Sequence, residues 1–453
     1  MAFCSIALED NGGKCYIIRN NFQERNHAMY DLFSLPDFQL PEGFIFGSAT
    51  AAYQIEGNNI HTNRWQQELR GEYISEPSGN AVDGYRQMES DMELLKQIGH
   101  KAYRFSIEWA RIEPEEGVWN HEAMEHYLRQ CRILKEAGIQ VWLTLVHCSM
   151  PEWFAQKGGF RKANFPYFLR YVEKMGKFLN DYVDVWIVLN EFFSGGWGGD
   201  DMRFDYIKAH AAAYHTLKQF SKKPVTSAHA AVEYYPTRSQ DELDCLEAHR
   251  QTYFANGVLL RAIRTGELAF PGFDGEWCPE VKDTMDFWAI NNYRRQIIDT
   301  RRKGPAARFG GKNMRMCPNK NDEFWPEGLS SMLQLFSGDR PVAVTENGCA
   351  TFDDRFRIVW IALYLNAVKE AIDRGANVLG YFYWSLLDNF EWDGTFDWTF
   401  GLIGVDRKDF SRTIRPSAYF YRDIIENNGF SQKILRKYLT QMPSMTEYSY
   451  SWR

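Results

Sequence analysis

Residues 140–147 read QVWLTLVH and residues 183–191 read VDVWIVLNE. Each is a short, nearly unbroken apolar run that ends on polar groups, His147 in the first and Asn190 with Glu191 in the second. Strands buried on both faces by crossover helices have this character. Six further stretches resemble them: 44–53, 101–109, 224–229, 285–293, 341–348 and 378–386. Amphipathic segments lie between. Tyr85, Met88, Met92 and Leu95 recur at helical spacing before Gly99, and Phe356, Val359, Trp360, Leu363 and Ala367 do so before Gly375. Residues 122–137, 166–181 and 206–220 fill three more gaps. Eight strands alternating with helices predict an α/β chain folded as a single (β/α)8 TIM barrel. An open doubly wound sheet is the alternative, and no Gly-rich phosphate loop follows the first strand to favour it. Residues 1–40 read as an N-terminal extension, 41–430 as the barrel and 431–453 as a C-terminal tail.

Composition narrows the function. The 453 residues carry 52 Lys+Arg against 59 Asp+Glu, a net charge of −7, which argues against a dedicated nucleic-acid binder. No apolar run approaches the ~20 residues that span a bilayer. The apolar patch 2–8 meets Glu9 and Asp10 without a preceding basic region, unlike a secretory leader. The eight cysteines are scattered with no C-x-x-C pair, the pattern of reduced thiols in a cytoplasmic protein. Aromatic residues make up 16% of the chain, a surplus that suits stacking against the flat apolar faces of sugar rings. His121 and His126 lie about 500° apart around a helix and share no face, so they predict no metal site. His210 and His215 fail likewise. The GGWGG run at 195–199 lacks the Lys-Ser/Thr of a phosphate loop. No cofactor or metal is expected.

A barrel presents its reactive groups at the C-terminal ends of its strands. The polar residues there are Gln54 and Glu56, Arg104 and Glu108, His147, Asn190 and Glu191, Asn291 and Tyr293, and Glu346 and Asn347, with Trp384, Glu391 and Trp392 at the eighth strand. Carboxylates from strands four and seven would face each other across the mouth. A pair about 5–5.5 Å apart serves retaining glycoside hydrolysis, one ionised as nucleophile and the other protonated as acid. Arg104 and Tyr293 would keep the nucleophile ionised by charge and hydrogen bonding.

Residues 44–57 (FIFGSATAAYQIEG), 102–112 (AYRFSIEWARI), 344–348 (VTENG) and 384–392 (WSLLDNFEW) resemble glycoside hydrolase family 1, the β-glucosidase family, over about residues 40–425. The resemblance implies a retaining β-glycosidase with Glu346 as nucleophile and Glu191 as acid/base. Gln54, His147, Asn190, Glu391 and Trp392 match its sugar-binding positions, with Trp384 as aromatic platform. Arg104, Asn291 and Tyr293 match the residues that orient and tune the nucleophile. The 6-phospho branch carries a Ser/Lys/Tyr clamp where this chain has Glu391 and Trp392, so the implied glycone is unphosphorylated, gluco-, galacto- or fuco-like.

The chain departs from the family pattern at several points. Phe192 replaces the Pro after the acid/base, and Cys148, Ser149 and Met150 replace Trp, Asp and Leu after His147. Asn292 and Thr399 stand where Tyr and Arg are usual. Two other readings use the same residues: a transglycosidase, and a sugar-binding protein without turnover. Residues 294–320 hold nine Lys/Arg and one acid, Asp299, and read either as a solvated loop or as an attractor for an anionic aglycone or glycoside.

Overall fold

Eight parallel strands close on one another in strictly sequential order. They are β1 Ile45–Ala49, β2 Ala102–Ser106, β3 Gln140–Val146, β4 Val185–Asn190, β5 Val225–Ala230, β6 Trp288–Asn291, β7 Val342–Asn347 and β8 Val378–Trp384, with β8 pairing back onto β1. Helices return the chain after each strand: α1 Met88–Gln97, α2 His121–Glu136, α3 Phe165–Leu179, α4 Arg203–Lys218, α5 Val258–Thr265 with the helix Glu242–Thr252 ahead of it, α6 Pro326–Phe336, α7 Asp354–Asp373 and α8 Pro416–Asn427. This is the predicted (β/α)8 barrel, and its closure excludes the open sheet. The structure is a computed structural model that describes residues 5–9, 15–19, 32–72, 76–192, 202–269, 275–301, 323–392 and 394–440. The 195–199 glycine run and most of the basic segment 294–320 lie outside the described residues. Among the described residues, no helix is long and apolar enough to cross a membrane.

The strand pattern explains the layers. In β3, Val141, Leu143 and Leu145 face the helices, while Trp142 points into the barrel. There Trp142 joins Ala102, Val185, Ile187, Ala228, Phe287, Ala289, Ala343 and Phe382 in an apolar plug. Its indole lies 4.6 Å from the Phe382 ring and 5.5 Å from the Phe287 ring. Small alanines opposite one Trp and two Phe fill the taper, and emptying the Trp142 position would cost about 3–5 kcal/mol. The helices start and stop on local signals. In α2, Asn120 accepts the Ala123 backbone N–H, and the chain leaves through Gly138 in left-handed backbone.

Two apolar runs extend past their strands. Ala52–Glu56 and Trp109–Ile112 are helical turns at the barrel mouth, although the runs 44–53 and 101–109 read as continuous strand. Their apolar side chains are buried, and a buried helical turn has the same short apolar signature as a strand. Tyr85 precedes α1 and stacks on His126, with the Arg111 guanidinium 4.1 Å from its ring centroid.

At the other end of the chain, Phe38–Gln39 pairs antiparallel with Gly429–Phe430, and Gln432 holds the Leu32 and Leu35 carbonyls.

Strict alternation fails at two strand ends, and both failures shape the site. With Ala343 inside, a period of two puts Thr345 inward and Glu346 outward; a register shift between Val344 and Asn347 turns Glu346 into the mouth. A similar shift lies between Ile187 and Asn190 in β4: Leu189 packs toward the helices and Asn190 turns inward. Bulges of this kind re-aim side chains beside active sites. Gly348 follows at once, where a Cβ would sit 1.6 Å from the Trp384 carbonyl oxygen. Only glycine lets the ends of β7 and β8 approach so closely.

Candidate active site

Above the apolar plug lies a polar layer organised by Arg104, which is fully buried on β2. One of its guanidinium nitrogens, Nη1, donates to Glu346 Oε1 at 2.6 Å and to the Thr345 carbonyl at 3.0 Å. Nη2 donates to Asn190 Oδ1 at 2.6 Å, and Nε to Thr144 Oγ1 at 3.3 Å. Arginine only donates, so the Asn190 amide orientation is fixed: its oxygen faces Arg104 and its Nδ2 donates to His147 Nε2 at 2.9 Å. His147 Nε2 therefore accepts, and its proton sits on Nδ1, which has no partner among the described residues. Burial and the Arg104 charge hold the His147 pKa well below the usual range, so the imidazole is neutral.

The same oxygen of Asn190 accepts from Asn291 Nδ2 at 3.1 Å, and that nitrogen also donates to Glu191 Oε1 at 3.0 Å. Thr345 Oγ1 donates to Asn291 Oδ1 at 2.7 Å, which fixes this second amide. On the other side of Glu346, the Tyr293 hydroxyl donates to Oε2 at 2.7 Å. Burial pushes the Glu346 carboxyl up to about 7; Arg104 pulls it down, the Glu191 charge adds to the rise, and the Tyr293 hydrogen bond lowers it again. Burial likewise keeps the Tyr293 phenol far above its ordinary value and protonated.

Around this core stand the groups for a polyhydroxylated ring. The Trp384 ring is 5.7 Å from His147 and the Trp392 ring 6.2 Å from it, so two indoles flank the imidazole. Trp392 also stacks on Tyr53. Gln54 Nε2 donates to the Phe390 carbonyl at 2.8 Å and to Asn389 Oδ1 at 3.1 Å, leaving Oε1 without a donor among the described residues. That locks Gln54 beside Glu391, itself buried. The eleven residues given site roles in the sequence, Gln54, Arg104, His147, Asn190, Glu191, Asn291, Tyr293, Glu346, Trp384, Glu391 and Trp392, thus line one mouth, whereas the other strand-end candidates serve the scaffold: Glu56 pairs with Arg111, Glu108 accepts from Ser149 and Asn347 accepts from Trp360.

Four supporting residues were not singled out. Thr144, Thr345 and Asn389 hold Arg104, Asn291 and Gln54; the last two lie inside the VTENG and WSLLDNFEW segments and were within reach of the sequence. Arg64 is the fourth, and no motif marks it. Its Nε donates to the Cys148 carbonyl at 3.0 Å, and its guanidinium carbon is 5.3 Å from the Trp392 ring centroid. Cys148 itself is buried and its thiol pKa is pushed up by that burial, so it is no thiolate nucleophile. In the described part of the basic segment, Arg295 is paired with Glu323 and Arg301 with Asp241.

The family model for glycosyl hydrolase family 1 matches residues 37–430. The chain is 31% identical to β-glucosidase A of Acetivibrio thermocellus, over 86% of this chain and 99% of that one. It is 30% identical to a 1,4-β-D-glucan glucohydrolase of Thermotoga neapolitana, over 87% and 99%. Among solved structures, a β-glycosidase from Pyrococcus horikoshii superposes with a TM-score of 0.82 at 31% identity, covering 90% of this chain and 99% of that one. A family 1 β-glucosidase from Thermotoga maritima gives 0.80 at 27% identity, covering 87% and 99%. With the barrel, the motifs and the family model coinciding over the same residues, the chain belongs to glycosyl hydrolase family 1 and is a glycoside hydrolase.

Proposed function

We propose that residues 41–430 form the catalytic barrel of a retaining β-glycosidase in which Glu346 is the nucleophile and Glu191 the acid/base. Glu346 attacks the anomeric carbon while Glu191 gives its proton to the departing glycosidic oxygen, leaving a glycosyl ester on Glu346 and a free aglycone alcohol. Glu191, now a carboxylate, takes a proton from water as the oxygen attacks the same carbon. Ester cleavage returns Glu346 as carboxylate and releases the sugar with retained configuration. The observation that carries this reading is the clamp on Glu346. A guanidinium on one oxygen and a phenol on the other favour the anion and aim it, while Glu191 on the neighbouring network keeps access to solvent.

The sugar contacts follow from the donor and acceptor inventory. His147 Nδ1–H donates, Gln54 Oε1 and the Glu391 carboxylate accept, and Trp384 covers the apolar ring face. A carboxylate at Glu391 repels a phosphate, which supports an unphosphorylated glycone. The names of the relatives, β-glucosidase and glucohydrolase, support a β-glucoside-like substrate. Among the described residues, Cys131, Cys148, Cys278 and Cys349 are free thiols, in keeping with a reducing cytoplasmic setting.

The test is a panel of aryl β-glycosides with gluco, galacto, fuco, glucurono and 6-phosphogluco glycones, run with and without an added acceptor sugar. Expected are phenol release from an unphosphorylated member, a β-configured first product by NMR, and loss of turnover in Glu346→Gln. Sugar binding without turnover across the panel would sink the reading. Dominant transfer to the acceptor would replace hydrolysis by synthesis.

A further inference from the structure

Arg64 is half-buried beside the pocket, and most of its hydrogen-bonding capacity is unused among the described residues. It lies on the short helix Asn63–Leu69, in the long segment between β1 and α1. That segment is tied to the one after β3: Asn63 Oδ1 accepts the Met150 N–H at 3.0 Å, Asn63 N–H donates to the Met150 carbonyl at 2.9 Å, and Arg64 Nε holds the Cys148 carbonyl. Of the five guanidinium N–H groups, one serves that carbonyl and one reaches Gln67 Oε1 at 3.4 Å. No carboxylate among the described residues pairs with it. By contrast Arg104, Arg111 and Arg295 at the same mouth each hold a glutamate.

The position of Arg64 relative to Glu191 decides what the cation faces. Cys148, to which Arg64 is bonded, has its sulfur 3.7 Å from Asn190 Nδ2 and 3.9 Å from the Asn190 carbonyl, the residue before Glu191. The leaving group departs on the side of the acid that protonates it. Arg64 is linked through Cys148 to the strand end that carries Glu191, and its guanidinium lies over Trp392, so its unused N–H groups can meet a leaving group that departs past Glu191. A planar guanidinium with free N–H pairs matches a carboxylate.

We propose that Arg64 is a specificity-determining residue for the leaving group, selecting β-glycosides whose aglycone carries a carboxylate. This rests on the assignment of Glu191 as the acid/base. It adds a second candidate for such a preference to the basic segment 294–320, in the segment between β1 and α1.

The experiment compares 4-carboxyphenyl β-glucoside with its methyl ester, which share glycone and glycosyl-enzyme intermediate and differ in the charge of the aglycone. The readout is the ratio of their kcat/KM values in the wild type, Arg64→Gln and Arg64→Lys. Expected is a wild-type ratio favouring the carboxylate that shrinks with added salt. Arg64→Gln should lower that ratio about tenfold and Arg64→Lys by less, as expected for one lost charge-assisted contact. A purely structural role for Arg64 would lower both substrates together and leave the ratio in place, which overturns the proposal. So does a wild-type ratio insensitive to salt, a test that needs no variant to fold. A third substrate, 4-methoxyphenyl β-glucuronide, separates the two ends of the pocket. If Arg64→Gln strikes the glucuronide in place of the carboxylated aglycone, the cation reads the glycone and the proposal fails. Absence of wild-type turnover on the methyl ester and its galacto and fuco counterparts would instead remove the glycosidase reading itself.

Discussion

Glu346 lies at the end of β7, 3% exposed, with Arg104 donating to one oxygen and Tyr293 to the other. Glu191 lies one residue beyond β4, partly exposed, in left-handed backbone with φ of +48°, and receives Asn291 Nδ2. The first is held by strong charge-assisted bonds in a register-shifted strand. The second has turned out of its strand through a conformation that costs a non-glycine residue about 1 kcal/mol or more. Strain of that kind persists only where the surroundings impose it; here the Glu191 N–H is held by the Ala228 carbonyl at 2.8 Å. The contrast matches two tasks. A nucleophile must stay ionised and aimed, whereas an acid/base must exchange its proton with a leaving group and then with water. One arginine ties the two, directly to Glu346 and through Asn190 and Asn291 to Glu191.

Removing each carboxylate in turn tests that division most severely. Glu346→Gln should lower kcat on any β-glycoside by at least ~10⁴-fold, since no covalent intermediate can form. In Glu346→Ala, which empties that side, a small anion such as formate or azide can attack directly, so any rescued product is inverted. Glu191→Gln leaves the nucleophile, so its azide-rescued product keeps its configuration. Identical stereochemistry from both variants would break the assignment.

The Glu191 effect should also depend on what leaves. An alkyl aglycone needs the proton and should lose about 10²–10⁴-fold in kcat/KM in Glu191→Gln, the range of general acid catalysis. A dinitrophenyl aglycone departs as a stable anion and should lose far less. A loss equal for both leaving groups would argue that Glu191 positions the substrate without transferring a proton.

A smaller effect reads the clamp on Glu346. Its carboxyl is pushed up to about 7 by burial, with Arg104 and Tyr293 opposing the rise. The protonated form cannot attack, so kcat/KM should fall about tenfold per pH unit as pH drops below about 7. Tyr293→Phe removes a bond that favours the anion. The acid limb should therefore move to higher pH, and activity above it should fall about 10–100-fold, the worth of a hydrogen bond to a charge. A limb that stays in place or moves to lower pH would mean the phenol does not tune Glu346.

What the sequence revealed and what it hid divide along physical lines. The runs at 140–147 and 183–191 exposed the barrel because burial on both faces makes strands uniformly apolar, and their terminal His147, Asn190 and Glu191 stood out against that background. The side on which those termini point was not legible. Alternation from Ala343 and Ile187 sends Glu346 and Asn190 the wrong way, and only the bulges, set by pairing with β8 and β5, reverse them. Register with a distant strand is a tertiary property. The same holds for Ala52–Glu56, whose buried helical turn cannot be told from strand by its apolar residues alone. Arg64 escaped for a simpler reason: an arginine in a polar stretch reads as surface until its neighbours are known.

The finest probe of the link between the two carboxylates is Thr345, which touches neither side chain. Its hydroxyl donates to Asn291 Oδ1 and so presents the other end of that amide, Nδ2, to Glu191 and Asn190. Thr345→Val keeps the shape and removes the donor, leaving a buried amide oxygen unpaired at a cost of about 1 kcal/mol or more. The amide can then flip, which would aim its oxygen at the Glu191 carboxylate and repel it. Because Arg104 still holds Glu346 directly, the acid limb of kcat/KM should stay in place. Alkyl glycosides, which need the Glu191 proton, should lose about fivefold in kcat/KM, and dinitrophenyl glycosides far less. Had Asn291 served Glu346 instead, the acid limb would move and both leaving groups would suffer alike. The two readouts therefore separate a network that serves Glu191 from one that serves the nucleophile.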